Sequence, residues 1–285
     1  MKDLDQYKPI RSARRRSLDI RQVRYNVTEW GDPDAPTFFY LHGWADAGST
    51  FQFVVDALRG DWHVVAPDWR GFGDSTVDCT SYWFPDYLAD LHALLDVYTP
   101  GEPARIVAHS MGANVGGLYA GTMPERVSAF VNVEGFGLQD SDPGDAPQRY
   151  RQWLEQLWAP SVFMTYPDVA SLAERIAKRN PRLSPAQADF VARVWGRVEE
   201  DGRVELRADP KHKLPNPVLY RRAEASACWD AITAAVLLVS GGASDFLSGE
   251  AAGERVEIEG AGHMLHFDAP AELAGVIEAF LIKYL

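Results

Sequence analysis

Residues 105–119, RIVAHSMGANVGGLY, decide the fold of this chain, because they place a serine between a short apolar run and a helix-like segment. The run at 105–108 predicts a buried β-strand, and the residues after the serine predict an α-helix. A serine on such a sharp turn needs small neighbours, since the backbone there is strained and crowded. Ala108 and Gly112 are such neighbours. The stretch therefore predicts a nucleophile elbow with Ser110 at its tip.

Short apolar runs alternate with helix-like segments on both sides of this stretch. The runs lie at 38–41, 63–67, 105–108, 127–133 and 235–240. The clearest helix-like segment carries its apolar residues at the spacing of one buried helix face, namely Tyr87, Leu88, Leu91, Leu94 and Leu95. This alternation predicts an α/β fold in which helical crossovers join parallel strands.

A long segment at 138–214 interrupts the alternation. Its 77 residues exceed an ordinary crossover loop, and prolines divide its helix-like pieces. Because α/β sheets bind ligands at the carboxyl ends of their strands, we expect a helical cap over that edge. The predicted organisation is a core of 1–137 and 215–285 with a helical cap at 138–214.

Composition argues against several classes of partner. The 285 residues carry 28 Lys and Arg against 40 Asp and Glu, and the formal net charge of −12 argues against nucleic acid or an anionic membrane. Two cysteines, Cys79 and Cys228, are too few for a disulfide framework and lack metal-ligand spacing. No apolar stretch approaches the ~20 residues of a membrane span, and residues 1–20 carry no apolar signal segment. We therefore expect a cytoplasmic protein without a metal or cofactor.

Three further motifs follow predicted strands in a fixed order. They are His42-Gly43-Trp44 after the run at 38–41, DWRGFGDS at 68–75 after the run at 63–67, and Gly260-Ala261-Gly262-His263 after the last predicted strand. Together with the elbow at Ser110, these motifs resemble those of the α/β-hydrolase superfamily. The resemblance covers nearly the whole chain outside the cap and implies a mostly parallel, eight-stranded sheet flanked by helices. One departure is Ala108, which stands where the family has its first elbow glycine.

The resemblance and the chemistry of acyl transfer assign three roles to four residues. Ser110 must lose its proton as it attacks, and His263 is the expected base because imidazole titrates near neutral pH. By resemblance, the backbone N–H groups of Trp44 and Met111 form the oxyanion hole. The expected substrate is a small-molecule ester or related acyl compound.

Three other histidines compete with His263 for the role of base. The order of this fold places the base after the nucleophile and beyond the last strand, which excludes His42 and His109. His266 satisfies the order but lies outside the Gly-x-Gly-His turn. We expect His42 and His109 to support the oxyanion loop and the elbow through hydrogen bonds.

Two residues compete for the role of the acid. Asp245 follows the run at 235–240, where the family most often carries its acid. The match is imperfect, because the third residue after Gly241 is Ser244, whereas the third residue after Gly242 is Asp245. Glu134 ends the run at 127–133, where haloalkane dehalogenases and a minority of other members carry theirs. Asp245 is the first choice and Glu134 the alternative.

Other conspicuous side chains receive structural or substrate-binding roles. We expect Asp68 and Arg70 to form an ion pair that stabilises their glycine-rich turn. Trp153 and Trp158 of the predicted cap are candidate substrate contacts, although residues of this kind more often pack in a core.

Serine at the elbow determines the expected reaction class, because relatives that cleave haloalkanes or epoxides use aspartate there. The prediction is a serine hydrolase, most simply a carboxylesterase, that acts through an acyl-enzyme on a small to medium, mainly apolar ester or a related substrate such as a lactone. Hydrolysis of amides or carbon–carbon bonds is the alternative within the fold. A ligand-binding relative without catalysis is the alternative of another class.

Overall fold

The computed structural model describes residues 6–158, 161–245 and 252–285. The strands in these ranges are β1 (Ala13–Ile20), β2 (Val23–Trp30), β3 (Thr37–Leu41), β4 (His63–Pro67), β5 (Thr76–Val77), β6 (Ala104–His109), β7 (Val127–Val133), β8 (Gly196–Val198), β9 (Val204–Leu206), β10 (Ala235–Gly241) and β11 (Glu254–Ile258). The helices are α1 (Gln52–Ala57), α2 (Phe84–Tyr98), α3 (Met111–Thr122), α4 (Ala146–Leu157), α5 (Val169–Arg179), α6 (Pro185–Trp195), α7 (Arg222–Asp230), α8 (Leu265–Asp268) and α9 (Pro270–Leu281).

One mostly parallel sheet forms the centre of the molecule. Its strand order is β1-β2-β4-β3-β6-β7-β10-β11, and the two-residue β5 pairs with β2 off this path. The pairs from β4 to β11 are parallel, whereas β2 runs antiparallel to its neighbours. The predicted α/β fold with an eight-stranded sheet is confirmed, and β5 is a short addition to it.

Helices cover both faces of the sheet and create two apolar layers. On one face, Val54 and Ile277 of α1 and α9 pack with sheet residues such as Val107. On the other face, α2 contributes the buried Leu91 and Leu95 at the spacing that the sequence predicts. Burial on both faces explains why the parallel strands are continuous apolar runs rather than alternating ones.

The segment between β7 and α7 contains α4, α5, α6 and the β8–β9 hairpin, and we call residues 138–214 the insertion. A capping box between Ser184 and Gln187 begins α6, and both α5 and α6 bury apolar residues in a third cluster. Phe53 and Phe267 of the core join this cluster, so apolar packing attaches the insertion to the rest of the chain.

A second attachment joins the insertion to the loop after β4. The amide of Gly73 donates to the Arg207 carbonyl at 2.8 Å, and the amide of Asp209 donates to the Gly71 carbonyl at 2.8 Å. The imidazole of His212 stacks between the rings of Phe72 and Tyr82, with centroid distances of 3.7 and 3.5 Å.

No helix in the described ranges is both long enough and apolar enough to cross a bilayer.

The buried imidazole of His212 makes the stability of this attachment depend on pH. Burial lowers the pKa of His212 from 6.5 to about 3. Between pH 6.5 and about pH 3, His212 is therefore protonated in the unfolded chain but neutral in the folded chain. Because the unfolded chain binds the extra proton, the free energy of unfolding decreases as pH falls through this range.

We predict that His212→Phe keeps the ring stacking but leaves the Arg70 carbonyl, 3.1 Å from Nε2, without its donor. The variant should lose about 1–3 kcal/mol of unfolding free energy at pH 7, and its deficit should shrink as pH falls towards 4. Urea titrations of both proteins across this range measure the deficit. The other buried histidines are present in both proteins, so a deficit that stays constant with pH would contradict the prediction.

Candidate active site

Ser110 lies on a strained turn between β6 and α3. Its φ of +52° is in the region that residues with side chains rarely adopt, as the predicted elbow requires. The Ser110 amide donates to the Val133 carbonyl of β7 at 2.9 Å, which fixes the turn to the sheet. A Cβ atom at Gly112 would lie 2.3 Å from the carbonyl oxygen of Leu41, so the crowding at this elbow requires glycine.

The imidazole of His263 bridges the hydroxyl of Ser110 and a carboxylate. Its Nε2 lies 3.1 Å from Ser110 Oγ, and its Nδ1 lies 3.2 Å from Glu134 Oε2. The His263 side chain is 26% exposed, whereas the Glu134 side chain is completely buried. With Nδ1–H donating to the carboxylate, Nε2 carries the lone pair that can accept the serine proton.

Glu134 is held by partners from three segments. Its backbone, with φ of +58°, turns away from the end of β7, and its amide donates to the Val239 carbonyl of β10 at 3.0 Å. The amide of Gly241 donates to Oε1 at 2.7 Å, and the hydroxyl of Ser244 donates to Oε2 at 2.6 Å. These hydrogen bonds, with the one from His263, compensate for burial of the charge and orient the carboxylate.

Asp245, the first choice as the acid from sequence, has an exposed side chain. The turn after β10, closed by the Ser244 amide on the Gly241 carbonyl at 3.0 Å, directs Ser244 towards Glu134. The carboxylate that contacts His263 belongs to Glu134, the alternative. The sequence does not predict the hydrogen bond from Ser244 to Glu134. Its only trace there is the uncertainty over whether Ser244 or Asp245 occupies the family's acid position.

The predicted oxyanion loop is fixed by His42. Its Nδ1–H donates to the Gly43 carbonyl at 2.7 Å, and its Nε2 accepts the Trp69 amide at 2.8 Å. Burial lowers the pKa of His42, which keeps the ring neutral as the acceptor role of Nε2 requires. Trp44 follows this loop, and Met111 is the first residue of α3, where backbone N–H groups have no partner within the helix.

His109 and His266 lie behind the elbow. The Nε2 of His109 is 2.8 Å from the carbonyl oxygen of His263, so this ring contacts the loop that carries His263 rather than the predicted elbow. Burial lowers the pKa of His109 well below its ordinary value. His266 is buried beside Asp46, with Nε2 3.2 Å from Asp46 Oδ2.

The predicted ion pair between Asp68 and Arg70 is wrong. The guanidinium of Arg70 instead forms two hydrogen bonds with the buried Asp90 of α2, at 2.6 and 2.8 Å. Asp68 accepts the backbone amides of Gly48 and Asp74 at 2.8 and 2.9 Å. Both residues stabilise the turn, but each uses a separate partner, because the glycine-rich loop directs their side chains to different segments.

The aromatic residues near the oxyanion loop come from both the core and the insertion. Trp44 is 49% exposed, and its ring centroid lies 5.8 Å from that of Phe163 in the insertion. Trp158, at the end of α4, is 90% exposed, and its role as a substrate contact stays a prediction. Trp153 is partly buried in α4. Phe163 is therefore the insertion aromatic that the structure brings to Trp44.

Comparisons with known proteins identify similar sequences and folds. A model of the alpha/beta hydrolase family matches residues 38–276. A serine hydrolase-like protein of Danio rerio is 28% identical over 277 residues, with 88% of this chain and 83% of the relative covered. A 3-hydroxybutyrate-oligomer hydrolase of Cupriavidus necator is 30% identical over 268 residues, with 86% and 89% covered.

Among solved structures, a thioesterase domain from the curacin biosynthetic pathway superposes with a TM-score of 0.84 at 26% identity, with 94% of this chain and 99% of that domain covered. The sheet order, the strained serine turn and the match over most of the chain lead to one assignment. The chain belongs to the alpha/beta hydrolase family.

Proposed function

We propose that this protein is a serine hydrolase that cleaves small to medium carboxylic esters, with Ser110 as nucleophile, His263 as base and Glu134 as acid. The supporting observation is the continuous line of contacts from Ser110 Oγ to His263 Nε2 at 3.1 Å and from His263 Nδ1 to Glu134 Oε2 at 3.2 Å. This assignment replaces Asp245 with Glu134 as the acid.

Each group has a defined task in this proposal. Ser110 attacks the substrate carbonyl while His263 takes its proton, and Glu134 stabilises the imidazolium that forms. The N–H groups of Trp44 and Met111 bind the developing oxyanion, where one such donor contributes about 10²–10³ in kcat. His263 then returns the proton to the leaving alcohol, and water cleaves the acyl-enzyme by the same steps in reverse.

The contact between Trp44 and Phe163 suggests an apolar approach to Ser110, which favours uncharged acyl groups. The oligomer hydrolase relative, which aligns with 86% of this chain, supports including esters of hydroxy acids among the substrates. The thioesterase-like fold supports testing thioesters as well. Lactones, amides and carbon–carbon bonds stay as alternatives within the same chemistry.

Glu134→Gln should lower kcat by about 10³–10⁴, because an amide beside His263 Nδ1 favours the wrong tautomer and leaves the imidazolium without its charge partner. Asp245→Asn is the matched control, since its exposed side chain carries the same change. Steady-state kinetics on a p-nitrophenyl ester measure both variants. A larger decrease of kcat in Asp245→Asn than in Glu134→Gln would identify Asp245 as the acid.

Reaction with a fluorophosphonate probe separates catalysis from ligand binding. We expect the wild-type protein to be labelled at neutral pH, and Ser110→Ala and His263→Ala to lose labelling and several decades of ester hydrolysis. The double variant should be little worse than either single variant, because the two residues act as a unit. An unlabelled wild-type protein would favour the non-catalytic alternative.

Phe163→Ala should lower kcat/KM for apolar esters by roughly 5- to 30-fold, equivalent to about 1–2 kcal/mol of lost apolar contact. Trp158→Ala is the control, because this aromatic of the insertion is 90% exposed and should leave kcat/KM unchanged. A series of p-nitrophenyl esters with increasing acyl length measures both effects. A larger loss of kcat/KM in Trp158→Ala than in Phe163→Ala would instead support Trp158 as the substrate contact.

A further inference from the structure

Asp46, His109 and His266 form a buried cluster behind the elbow. They come from the loop after β3, the end of β6 and α8, and their exposed fractions are 3%, 2% and 1%. One carboxylate oxygen of Asp46 and one ring nitrogen of each histidine all lie within 4.8 Å of one another. Their positions in the sequence are far apart, so no spacing motif reveals the cluster.

Several polar atoms in this cluster have no hydrogen-bond partner in the part of the chain that the structure describes. They are Asp46 Oδ2, His109 Nδ1 and both ring nitrogens of His266. His266 Nε2 lies 3.2 Å from Asp46 Oδ2, so the imidazole and the carboxylate face each other at the centre of the cluster. Buried polar atoms without partners are costly, so their convergence on one point indicates a further ligand.

The remaining atoms of two cluster residues are already fixed by partners outside it. His109 Nε2 is 2.8 Å from the His263 carbonyl, so Nε2 carries the proton and the buried Nδ1 keeps a lone pair that no hydrogen bond uses. Asp46 Oδ1 accepts from Thr50 Oγ1 and Trp195 Nε1, both at 2.8 Å, and this orients Oδ2 towards His266. Proteins orient metal-binding histidines and carboxylates in this way.

We propose that Asp46, His109 and His266 bind one divalent transition-metal ion, with Zn²⁺ or Co²⁺ as its probe. Two imidazoles and one carboxylate form a ligand set for such ions rather than for Mg²⁺ or Ca²⁺, which prefer oxygen ligands. Ligand bonds of about 2.0–2.2 Å require the three atoms to move closer together, and water would complete a tetrahedral site.

Occupation of this site would act on the catalytic groups. His109 directly precedes Ser110 and contacts the backbone of His263, so a metal ion that draws His109 inward would displace both. We expect bound metal to lower kcat for a substrate and leave KM nearly unchanged. Metal binding itself is independent of the proposed esterase activity and is measured separately from it.

The test is a titration of chelator-treated protein with Co²⁺, followed by the visible absorption of low-coordinate Co²⁺ and by displacement with Zn²⁺. We expect one equivalent to bind to the wild-type protein, and Asp46→Asn and His266→Gln to weaken binding by at least about 10-fold. His92→Asn is the control, because it changes a partly exposed histidine outside the cluster, 3.6 Å from Asp96. This control should bind Co²⁺ as the wild-type protein does.

His263→Ala distinguishes the cluster from the catalytic groups. Retained Co²⁺ binding in this variant supports the proposal, whereas its loss would place the ion at His263 and overturn it. Absence of binding to the wild-type protein would also overturn the proposal.

If the cluster variants do not fold, anomalous diffraction from wild-type crystals soaked in Zn²⁺ decides the question. The proposal requires a peak about 2 Å from Asp46 Oδ2, His109 Nδ1 and a ring nitrogen of His266. Peaks only elsewhere, or none, would overturn it.

Discussion

The buried carboxylate of Glu134 is the interaction on which the arrangement of the site depends. Its oxygens accept hydrogen bonds from the amide of Gly241, the hydroxyl of Ser244 and the imidazole of His263, and thus join the ends of β7 and β10 to the loop after β11. A hydrogen bond to a charged group contributes about 1.5–3 kcal/mol, so these segments are constrained together. The parallel pairing of β6 with β7 places Ser110 at the same edge.

The parts of this site that sequence predicts are those determined by local pattern. The apolar run at 105–108 corresponds to β6 (Ala104–His109), and the small residues around Ser110 are those that its positive φ and close packing require. His263 was predicted from its turn and its order along the chain. The helix α2 follows its apolar spacing because one face packs against the sheet.

Other features depend on geometry that a sequence pattern does not contain. The strands β7 and β10 are neighbours, so acids at the end of either one can lie near the same histidine, and the turn from Gly241 to Ser244 selects between them. The partner of Arg70 is Asp90, which is on a different element and is brought close only by folding. Trp158 and Phe163 are both aromatic residues of the insertion, and only the fold shows which lies beside Trp44.

The most direct test of the central claim is proton NMR of the His263 Nδ1–H in wild-type protein and variants. A hydrogen bond to a buried carboxylate shifts this proton strongly downfield and slows its exchange with water. A hydrogen bond from His263 to Glu134 predicts a resonance that is assigned by its loss in His263→Ala, that persists in Asp245→Asn, and that disappears or moves upfield in Glu134→Gln. A resonance that is unchanged in Glu134→Gln and lost in Asp245→Asn would contradict it.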